Sequence, residues 1–390
     1  MAVRPVQQPE RLRSRPWLFR DVLLTQPSVW ETADSAAHPS LKGTTTADVC
    51  VVGLGGSGLA CVDECLRAGV SVVGLDAGRV GGAAAGRNGG LLRAGSSLFH
   101  HEARARYGRE RAARIYAATL EERERVIARV PAIARRCGYL RLAHDDEEAR
   151  DCREHLQALT DDGFDAGWYN GSLGSGLLVR EDAAIDPLAR CRAEAAAVTA
   201  NGARLFEASV VRRLEPGLVD TDEGTVRCRA IVVAVDGALA HILPELEDRV
   251  WPMRLQMLAS GPHQRILQHA VGTRWGWDYA QQLEDGTIAF GGCRDVGGDA
   301  ERTMNAEPTA QVQAALERRF EEVLGVRPSV THRWAATVGY TADGLPVLEQ
   351  VRPGIWATGG YSGTGNLLGA ACGRAAARLA LGMQRESPLQ

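Results

Sequence analysis

Lysine is almost missing from this sequence of 390 residues. Lys42 is the single lysine, and arginine supplies the other basic side chains. A catalytic lysine is therefore excluded everywhere beyond the N-terminal segment. The formal net charge of −3 favours neither a nucleic-acid partner nor an anionic membrane surface, because both attract strongly basic proteins.

The nine cysteines contain no pair with C-x-x-C spacing, and several of them lie in apolar runs, where cysteine behaves as a small hydrophobic residue. A disulfide framework and a zinc site are therefore disfavoured, and no metal is expected. Apolar runs long enough to cross a bilayer are also missing. The N-terminus lacks the apolar segment of a signal peptide, so we expect a cytoplasmic protein without a membrane span.

Glycine is plentiful, and its most informative cluster follows an apolar run, Val49–Val52, that predicts a buried parallel strand. Gly53, Gly55 and Gly58 have the spacing G-x-G-x-x-G, and a helical pattern, a second apolar strand and Asp76 come next. This succession is the dinucleotide-binding fingerprint, in which a pyrophosphate meets the helix N-terminus and the acid accepts hydrogen bonds from a ribose. The glycine spacing alone arises easily by chance, so the flanking elements carry the prediction. NAD and FAD both fit at this point.

A second segment of small residues, Gly81–Gly90, contains Arg87 and Asn88. Such a density of glycine and alanine allows backbone to lie flat against a ligand. A flexible loop is the alternative interpretation.

The remaining patterns predict a divided chain. Residues 1–45 lack steady periodicity and predict an arm that packs on the body through Trp17, Phe19 and Trp30. The apolar run Ala230–Val235 predicts another parallel strand, whereas separate strands between Val250 and Asp295 predict an antiparallel sheet. The predicted class is therefore α/β, or α+β overall. Its nucleotide domain comprises residues 46–98, 186–246 and 335–385, and its substrate domain comprises 99–185 and 247–334.

Four separated segments resemble one family. They are the fingerprint with Gly82–Gly90, the strand ending in Asp236-Gly237, YTADGLPVL at Tyr340–Leu348, and GGYSGTG at Gly359–Gly365 before a helix. Together they resemble the FAD-dependent D-amino-acid oxidase, glycine oxidase and sarcosine oxidase superfamily, and the R-N-G-G motif is most similar to its gamma-glutamylputrescine oxidoreductase branch. The resemblance implies a Rossmann-like FAD-binding domain with an inserted substrate domain of antiparallel sheet plus helices.

The resemblance also implies which residues hold FAD. Because FAD is long, the first glycine turn would meet the pyrophosphate, and amides of the second would stabilise negative charge on the reduced flavin. Asp76 stands where most relatives have glutamate. The implied cofactor-binding residues are Gly53, Gly55, Ser57, Gly58, Asp76, Ala77, Gly86, Arg87, Asn88, Gly89, Gly90, Val211, Ala234, Gly237, Gly360, Ser362, Gly363, Thr364, Gly365 and Asn366.

Val338 marks a departure from the family. It stands where monomeric sarcosine oxidases carry the cysteine that binds flavin covalently, and where glycine oxidase has an arginine for the substrate carboxylate. We therefore expect non-covalent FAD. The missing arginine favours an amine or N-substituted substrate over a free α-amino acid, unless Arg254, Arg294 or Arg333 supplies another anchor.

The family's reaction is hydride transfer from the carbon bearing nitrogen to flavin N5, followed by hydrolysis of the imine, and it requires no obligatory general base. The resemblance implies that Trp277 and Tyr279 form an aromatic wall facing the flavin, with the sheet core as the alternative. Tyr361 and Thr364 stand where relatives have an aromatic or small residue and a histidine, and they complete the candidate catalytic set.

O₂ is the expected electron acceptor and a small amine or amino acid the expected substrate. The lysine with which sarcosine-oxidase relatives activate oxygen has no counterpart beyond Lys42, which leaves a dehydrogenase that reduces a quinone or carrier protein as one alternative. A non-catalytic flavoprotein is a second. An NAD-dependent dehydrogenase is a third, slightly favoured by Asp76 and disfavoured by the C-terminal glycine motif.

Overall fold

The computed structural model describes residues 26–31, 36–387 and 389. The predicted anchors Trp17 and Phe19 lie outside the described residues. Trp30 is buried in a cluster with Leu188 and Trp334. Among the described residues, no helix combines the length and the apolar composition that crossing a bilayer requires.

The strands are numbered in chain order. They are β1 Gly43–Thr46, β2 Val49–Val52, β3 Val72–Leu75, β4 Leu91–Leu92, β5 Tyr139–Leu142, β6 Gly167–Gly171, β7 Gly174–Val179, β8 Ala183–Ala184, β9 Arg204–Phe206, β10 Val211–Glu215, β11 Leu218–Thr221, β12 Gly224–Arg227, β13 Ala230–Val233, β14 Trp251–Ser260, β15 Ala270–Thr273, β16 Asp278–Gln282, β17 Ile288–Gly292, β18 Val330–Tyr340, β19 Val347–Arg352 and β20 Ile355–Gly359.

The α-helices are numbered in the same way, and a single π turn, Gly365–Gly369, leads into the last of them. They are α1 Gly56–Arg67, α2 Ala84–Arg87, α3 His100–Tyr107, α4 Arg109–Arg129, α5 Asp146–Asp161, α6 Pro187–Ala200, α7 Leu239–Ile242, α8 Arg294–Gly297, α9 Ala310–Leu324 and α10 Ala370–Ala380.

A six-stranded sheet with the order β19-β20-β13-β2-β3-β9 carries the nucleotide fingerprint. Its strands run parallel from β20 to β9, and β19 is an antiparallel edge. The three predicted apolar strands are confirmed as β2, β3 and β13, and every residue in them is buried. Because parallel strands share a carboxyl edge, the segments after β2, β3 and β13 meet there.

The second large sheet has eight strands in the order β18-β14-β17-β16-β15-β5-β7-β6. The predicted antiparallel arrangement is confirmed for β14, β16 and β17, while β15 and β5 pair in parallel. A separate four-stranded sheet, β1-β12-β11-β10, packs against the core of the six-stranded sheet. The mixed α/β architecture agrees with the predicted class.

Two of the predicted segment boundaries fall inside strands. The boundary between residues 334 and 335 lies in β18, Val330–Tyr340, and the boundary between residues 45 and 46 lies in β1, Gly43–Thr46. Gly108, whose φ is +87°, ends α3, and α4 then runs from Arg109 to Arg129.

Gly373 is the point at which α10 comes closest to α1. A Cβ placed there would lie 2.0 Å from the carbonyl oxygen of Ser57, closer than any real contact. We expect Gly373→Ala to lower the free energy of unfolding by about 1–3 kcal/mol, because backbone must move to relieve the overlap, although alanine has the higher helix propensity. Urea denaturation measures this change.

Gly261→Ala is the matched control, since the nearest atom to its Cβ position is 3.6 Å away. Equal urea midpoints for the Gly373 and Gly261 variants would contradict the predicted helix contact.

Candidate active site

The first glycine turn joins β2 to α1. Gly53 has φ +98°, and a Cβ there would lie 2.5 Å from the carbonyl oxygen of Ala234. A Cβ on Gly58 would lie 1.8 Å from the carbonyl oxygen of Gly53, so both positions require glycine. Gly55 differs, because only the Cβ of Ala85, at 3.0 Å, lies near its Cβ position. Gly55 is also the N-cap, and among the described residues no side chain caps the helix. The first backbone amides of α1 are therefore free to bind an anionic group.

Asp76 follows β3 and fixes the same turn. Its Oδ2 accepts a hydrogen bond from the Leu54 amide at 2.8 Å and its Oδ1 from the Gly78 amide at 2.8 Å. Burial raises the pKa of this carboxyl, and the two amides oppose the shift. Each oxygen keeps a lone pair that can accept from a ribose hydroxyl, and Ala77 lies exposed beside it.

Asn88 and Asn366 join the two loops that the family resemblance assigns to the flavin. Asn366 Nδ2 donates to Asn88 Oδ1 at 3.0 Å, and the same oxygen accepts from the Gly90 amide at 2.7 Å. Buried Arg190, which sequence reasoning missed, donates to the carbonyl of Asn366 at 2.8 Å. No local pattern marked Arg190, because its partner is 176 residues away.

Arg87 corrects the expectation that its side chain lines the flavin. The guanidinium is buried, donates to the carbonyl of Ala335 at 3.2 Å and forms an ion pair with Glu31. Its carbonyl accepts from Trp334 Nε1 at 2.8 Å. Arg87 therefore attaches the R-N-G-G loop to β18 and to the N-terminal segment. Its neighbour Gly86 makes a tight turn, since a Cβ there would lie 2.3 Å from the carbonyl oxygen of Gly81.

Asp236 is the main site residue that sequence reasoning missed, although it was seen as the end of a strand. Its Oδ1 accepts from the amides of Gly360 at 3.0 Å and Tyr361 at 3.2 Å, and its Oδ2 from the Gly339 amide at 2.9 Å. Its φ is +47°. Burial raises the pKa of Asp236 to about 6, and the amides oppose this effect. The next residue, Gly237, lets this segment approach β18, because a Cβ there would lie 2.9 Å from the backbone of Val338.

The second glycine loop turns sharply between β20 and the π turn. Gly360, Ser362 and Gly363 all have left-handed backbone, with φ of +73°, +49° and +85°. Successive residues of this kind point amides towards one concavity that suits an anion. The loop continues into Gly365, the first residue of the π turn.

Tyr361 and Thr364, the other two candidate catalytic residues, have hydrogen-bond partners at α1 and in the second glycine loop. Tyr361 Oη donates to Ser57 Oγ at 2.7 Å, so its buried ring lies at the first turn of α1. Thr364 Oγ1 donates to the carbonyl of Tyr361 at 2.6 Å. Both side chains therefore form hydrogen bonds at the first turn of α1 or within the second glycine loop.

Tyr279 is brought directly beneath the R-N-G-G loop. A Cβ placed on Gly89 would lie 2.9 Å from its ring. Burial raises the pKa of Tyr279, with a smaller contribution from Tyr340, so the phenol stays neutral. Tyr340 also reaches the second glycine loop, since a Cβ on Gly363 would lie 3.8 Å from its Oη. Two tyrosines of the eight-stranded sheet therefore lie against both loops.

Trp277 extends this wall towards solvent and is 38% exposed. The guanidinium of Arg294 lies 4.6 Å from the ring centroid of Trp277 and 4.5 Å from that of Tyr340. The other two arginines considered as carboxylate anchors have partners. Arg254 pairs with Glu301 at 2.8 Å and Arg333 binds Glu317 at 2.6 Å.

The remaining implied cofactor residues, Ala234, Val211 and Gly90, lie on three different elements. Ala234 follows β13 and its amide donates to the carbonyl of Val52 at 2.7 Å. Val211 begins β10 and packs against the core beneath the six-stranded sheet. Gly90 contacts a different element, since a Cβ there would lie 2.1 Å from the carbonyl oxygen of Ile185.

Asp236→Asn tests the role of this carboxylate in stability. The folded-state pKa of about 6 exceeds the unfolded value of about 3.9, so its contribution is complete below about pH 4 and is lost as pH rises through 6. The free energy of unfolding of the wild type should fall by about 2 kcal/mol more between pH 4 and pH 7 than that of the variant. Urea denaturation at a series of pH values measures the difference.

Asp343→Asn is the control, because that exposed carboxylate accepts one amide, from Leu345 at 3.0 Å. The same pH dependence in the wild type and in Asp236→Asn would contradict the assignment.

Comparison with solved structures agrees with this architecture. Glycine oxidase from Geobacillus kaustophilus superposes with a TM-score of 0.72 at 21% identity, covering 88% of this chain and 95% of that one. L-Proline dehydrogenase from P. horikoshii gives a TM-score of 0.70 at 17% identity, covering 89% and 95%. These likenesses establish a shared fold.

Sequence comparison identifies the family. A probable oxidoreductase, OrdL, of Rhizobium meliloti (strain 1021) is 28% identical over 377 residues, covering 90% of this chain and 87% of that protein. Gamma-glutamylputrescine oxidoreductase of Escherichia coli (strain K12) is 27% identical over 379 residues, covering 89% and 86%. The family model described as DAO, FAD dependent oxidoreductase, matches residues 48–379. The resemblance seen in the sequence is thereby confirmed, and this chain belongs to the DAO family of FAD-dependent oxidoreductases.

Proposed function

We propose that this protein oxidises the C–N bond of a small amine or amino acid and passes the electrons to O₂. The observation that carries the proposal is the convergence of two tyrosines on both glycine loops. Tyr279 lies against Gly89, and Tyr340 lies beside Gly363. An aromatic wall so placed would hold a small apolar or amphipathic substrate against whatever the loops bind.

The residues present fit FAD. The uncapped N-terminus of α1 suits a pyrophosphate, and Asp76 has acceptor capacity left for a ribose. The left-handed residues around Gly363 suit an anionic ring edge. When bound, FAD supplies the hydride acceptor of the reaction.

The chain's own groups have three tasks in this reaction. Tyr279 and Trp277 would orient the uncharged amine and exclude water, and the neutral Tyr279 phenol can donate a hydrogen bond. Amides at the start of the π turn and α10 would stabilise negative charge that develops near Gly363. Asp236 would keep those amides in place through its bonds to Gly360 and Tyr361.

Two details of the proposal are the attachment of FAD and the identity of the electron acceptor. Val338 cannot form the covalent link that a cysteine forms in relatives, which favours non-covalent FAD. The second point is the electron acceptor. The similar solved structures include glycine oxidases and an L-proline dehydrogenase. A dehydrogenase is therefore the second candidate, and a cytoplasmic location stays a prediction from the sequence.

Gly55→Val separates FAD binding from folding. The extended backbone of Gly55, with φ −82° and ψ −175°, accepts valine, but the side chain would occupy the place proposed for the pyrophosphate. We expect the apo-protein to lose about 1–2 kcal/mol of unfolding free energy, because the added Cβ would lie 3.0 Å from that of Ala85, and to lose FAD, measured by absorbance of bound flavin after gel filtration. Gly58→Ala should instead unfold the turn. Retention of FAD by the Gly55 variant would contradict the proposed binding mode.

Anaerobic titration of the FAD-containing protein with amines and amino acids tests the proposed reaction. One substrate class should bleach the visible flavin absorption, and peroxide should form when air is admitted. Denaturation in SDS should release the flavin from the polypeptide. Bleaching without peroxide would favour the dehydrogenase, and a protein that no amine reduces would contradict the proposal.

A further inference from the structure

Helix α6 brings one buried arginine to the candidate site, although this helix belongs to neither glycine loop. Asp186 caps α6, since its Oδ1 accepts from two amides of the first turn at 3.0 and 2.9 Å. The helix packs tightly on the segment of small residues, because a Cβ on Gly81 would lie 2.7 Å from the Cβ of Cys191. Both contacts fix the position of Arg190, which lies in the first turn of α6 and is only 2% exposed.

The guanidinium of Arg190 lies between the first glycine turn and the second glycine loop. Its Nη1 donates to the carbonyl of Asn366 at 2.8 Å. Its Nη2 lies 3.7 Å from the Cβ position of Gly56, the first residue of α1. Because Gly56 has no side chain, the guanidinium comes close to the end of α1 at which the helix amides are free. One buried cation therefore lies against both of the segments assigned to FAD.

One nitrogen of this guanidinium is available for a further partner. Nε donates to Glu194 Oε1 at 2.9 Å, and Nη1 donates to Asn366. Nη2 has no hydrogen bond to a described residue, and it keeps some accessible surface, unlike the fully buried polar atoms that lack a partner. A donor of a buried cation is costly to leave unpaired. Nη2 is therefore placed to donate to an acceptor at the end of α1.

Arg190 differs in this respect from the two arginines that follow the fingerprint in the sequence. Arg87 uses all three of its guanidinium nitrogens on described residues. Arg79 is half-exposed and pairs with Glu207 at 2.9 Å. A helix N-terminus contributes only about half an elementary positive charge, less than the negative charge of a pyrophosphate. Arg190 adds a full positive charge at this end of α1.

We propose that Arg190 binds the pyrophosphate of FAD through Nη2, while its Nη1 keeps the second glycine loop in place through Asn366. The inference rests on the proposed binding of FAD by the two glycine loops, and it adds a charged residue that neither glycine motif contains. FAD would then link α6, α1 and the π turn at one point. These three segments are far apart in the sequence, so the bound cofactor would stabilise their packing.

Affinity for FAD tests the contribution of the charge. Arg190→Met should weaken FAD binding about 10- to 100-fold, as expected for the loss of a hydrogen bond between charged groups. Arg190→Lys should weaken it less, since the positive charge remains and the planar fork is lost. The dissociation constant is measured from the fluorescence of flavin released when the FAD-containing protein is diluted. Added NaCl should weaken FAD binding by the wild type more than by Arg190→Met.

Arg192→Met is the matched control, because it removes an arginine from the same helix about 200° around its axis. Its affinity for FAD should equal that of the wild type. Equal affinities of Arg190→Met and Arg192→Met would overturn the proposal. A wild-type protein that neither contains nor takes up FAD would instead refute the FAD site itself.

Phosphorus NMR of bound FAD distinguishes direct contact from an effect transmitted through Asn366. In FAD-containing Arg190→Lys, at least one pyrophosphate resonance should shift from its wild-type position, whereas Arg192→Met should leave the resonances in place. If Arg190→Lys changed the visible absorption of the flavin without moving either phosphorus resonance, Arg190 would act only on the second glycine loop, and the proposal would fail.

Glu194→Gln provides a background that separates FAD binding from folding. Arg190→Met alone leaves a carboxylate whose Oε2 is already buried without a partner, and such an unpaired buried charge is strongly destabilising. Arg190→Met/Glu194→Gln removes both charges and should fold, as measured by circular dichroism. It should still bind FAD about 10- to 100-fold more weakly than Glu194→Gln alone. The same affinity in these two variants would contradict a contact between Arg190 and the pyrophosphate.

Discussion

The structure of the site depends on one buried carboxylate. Asp236 accepts amides from Gly339, Gly360 and Tyr361, which lie at the end of β18 and at the start of the second glycine loop. One side chain after β13 thus fixes the six-stranded sheet, the eight-stranded sheet and the loop at a single point. Since backbone amides that lose a buried acceptor carry the full cost of desolvation, these three parts are held in register together.

Arginine, which supplies nearly all the basic side chains of this chain, joins helices elsewhere in the structure. Arg374 of α10 contacts Asp63 of α1 at 2.7 Å and Glu122 of α4 at 2.9 Å, so three helices share one buried ion cluster. The guanidinium fork can bond to two carboxylates in fixed directions, which an ammonium group does less well.

The aromatic wall itself depends on a strained turn. Arg274, Trp275 and Gly276 all have left-handed backbone, with φ of +53°, +57° and +85°. Glu148 of α5 accepts the amides of the first two residues. A helix far away in the sequence therefore stabilises the conformation that presents Trp277. Strain of this kind persists where the surroundings over-determine it, as is common at binding sites.

Local pattern by itself determined the first strand–turn–helix unit with Asp76 and the antiparallel sheet that carries Tyr279, and the resemblance of four segments to known sequences indicated the family. These follow from the sequence because glycine spacing, β-branched runs and alternation depend on neighbouring residues. Tertiary structure decided that the Tyr361 hydroxyl donates to Ser57 of α1, 304 residues away, and that the Arg87 guanidinium donates to a carbonyl of β18. It also decided the role of Asp236. Whether a polar side chain faces a ligand or a distant backbone is settled by packing between segments, and no local pattern records that.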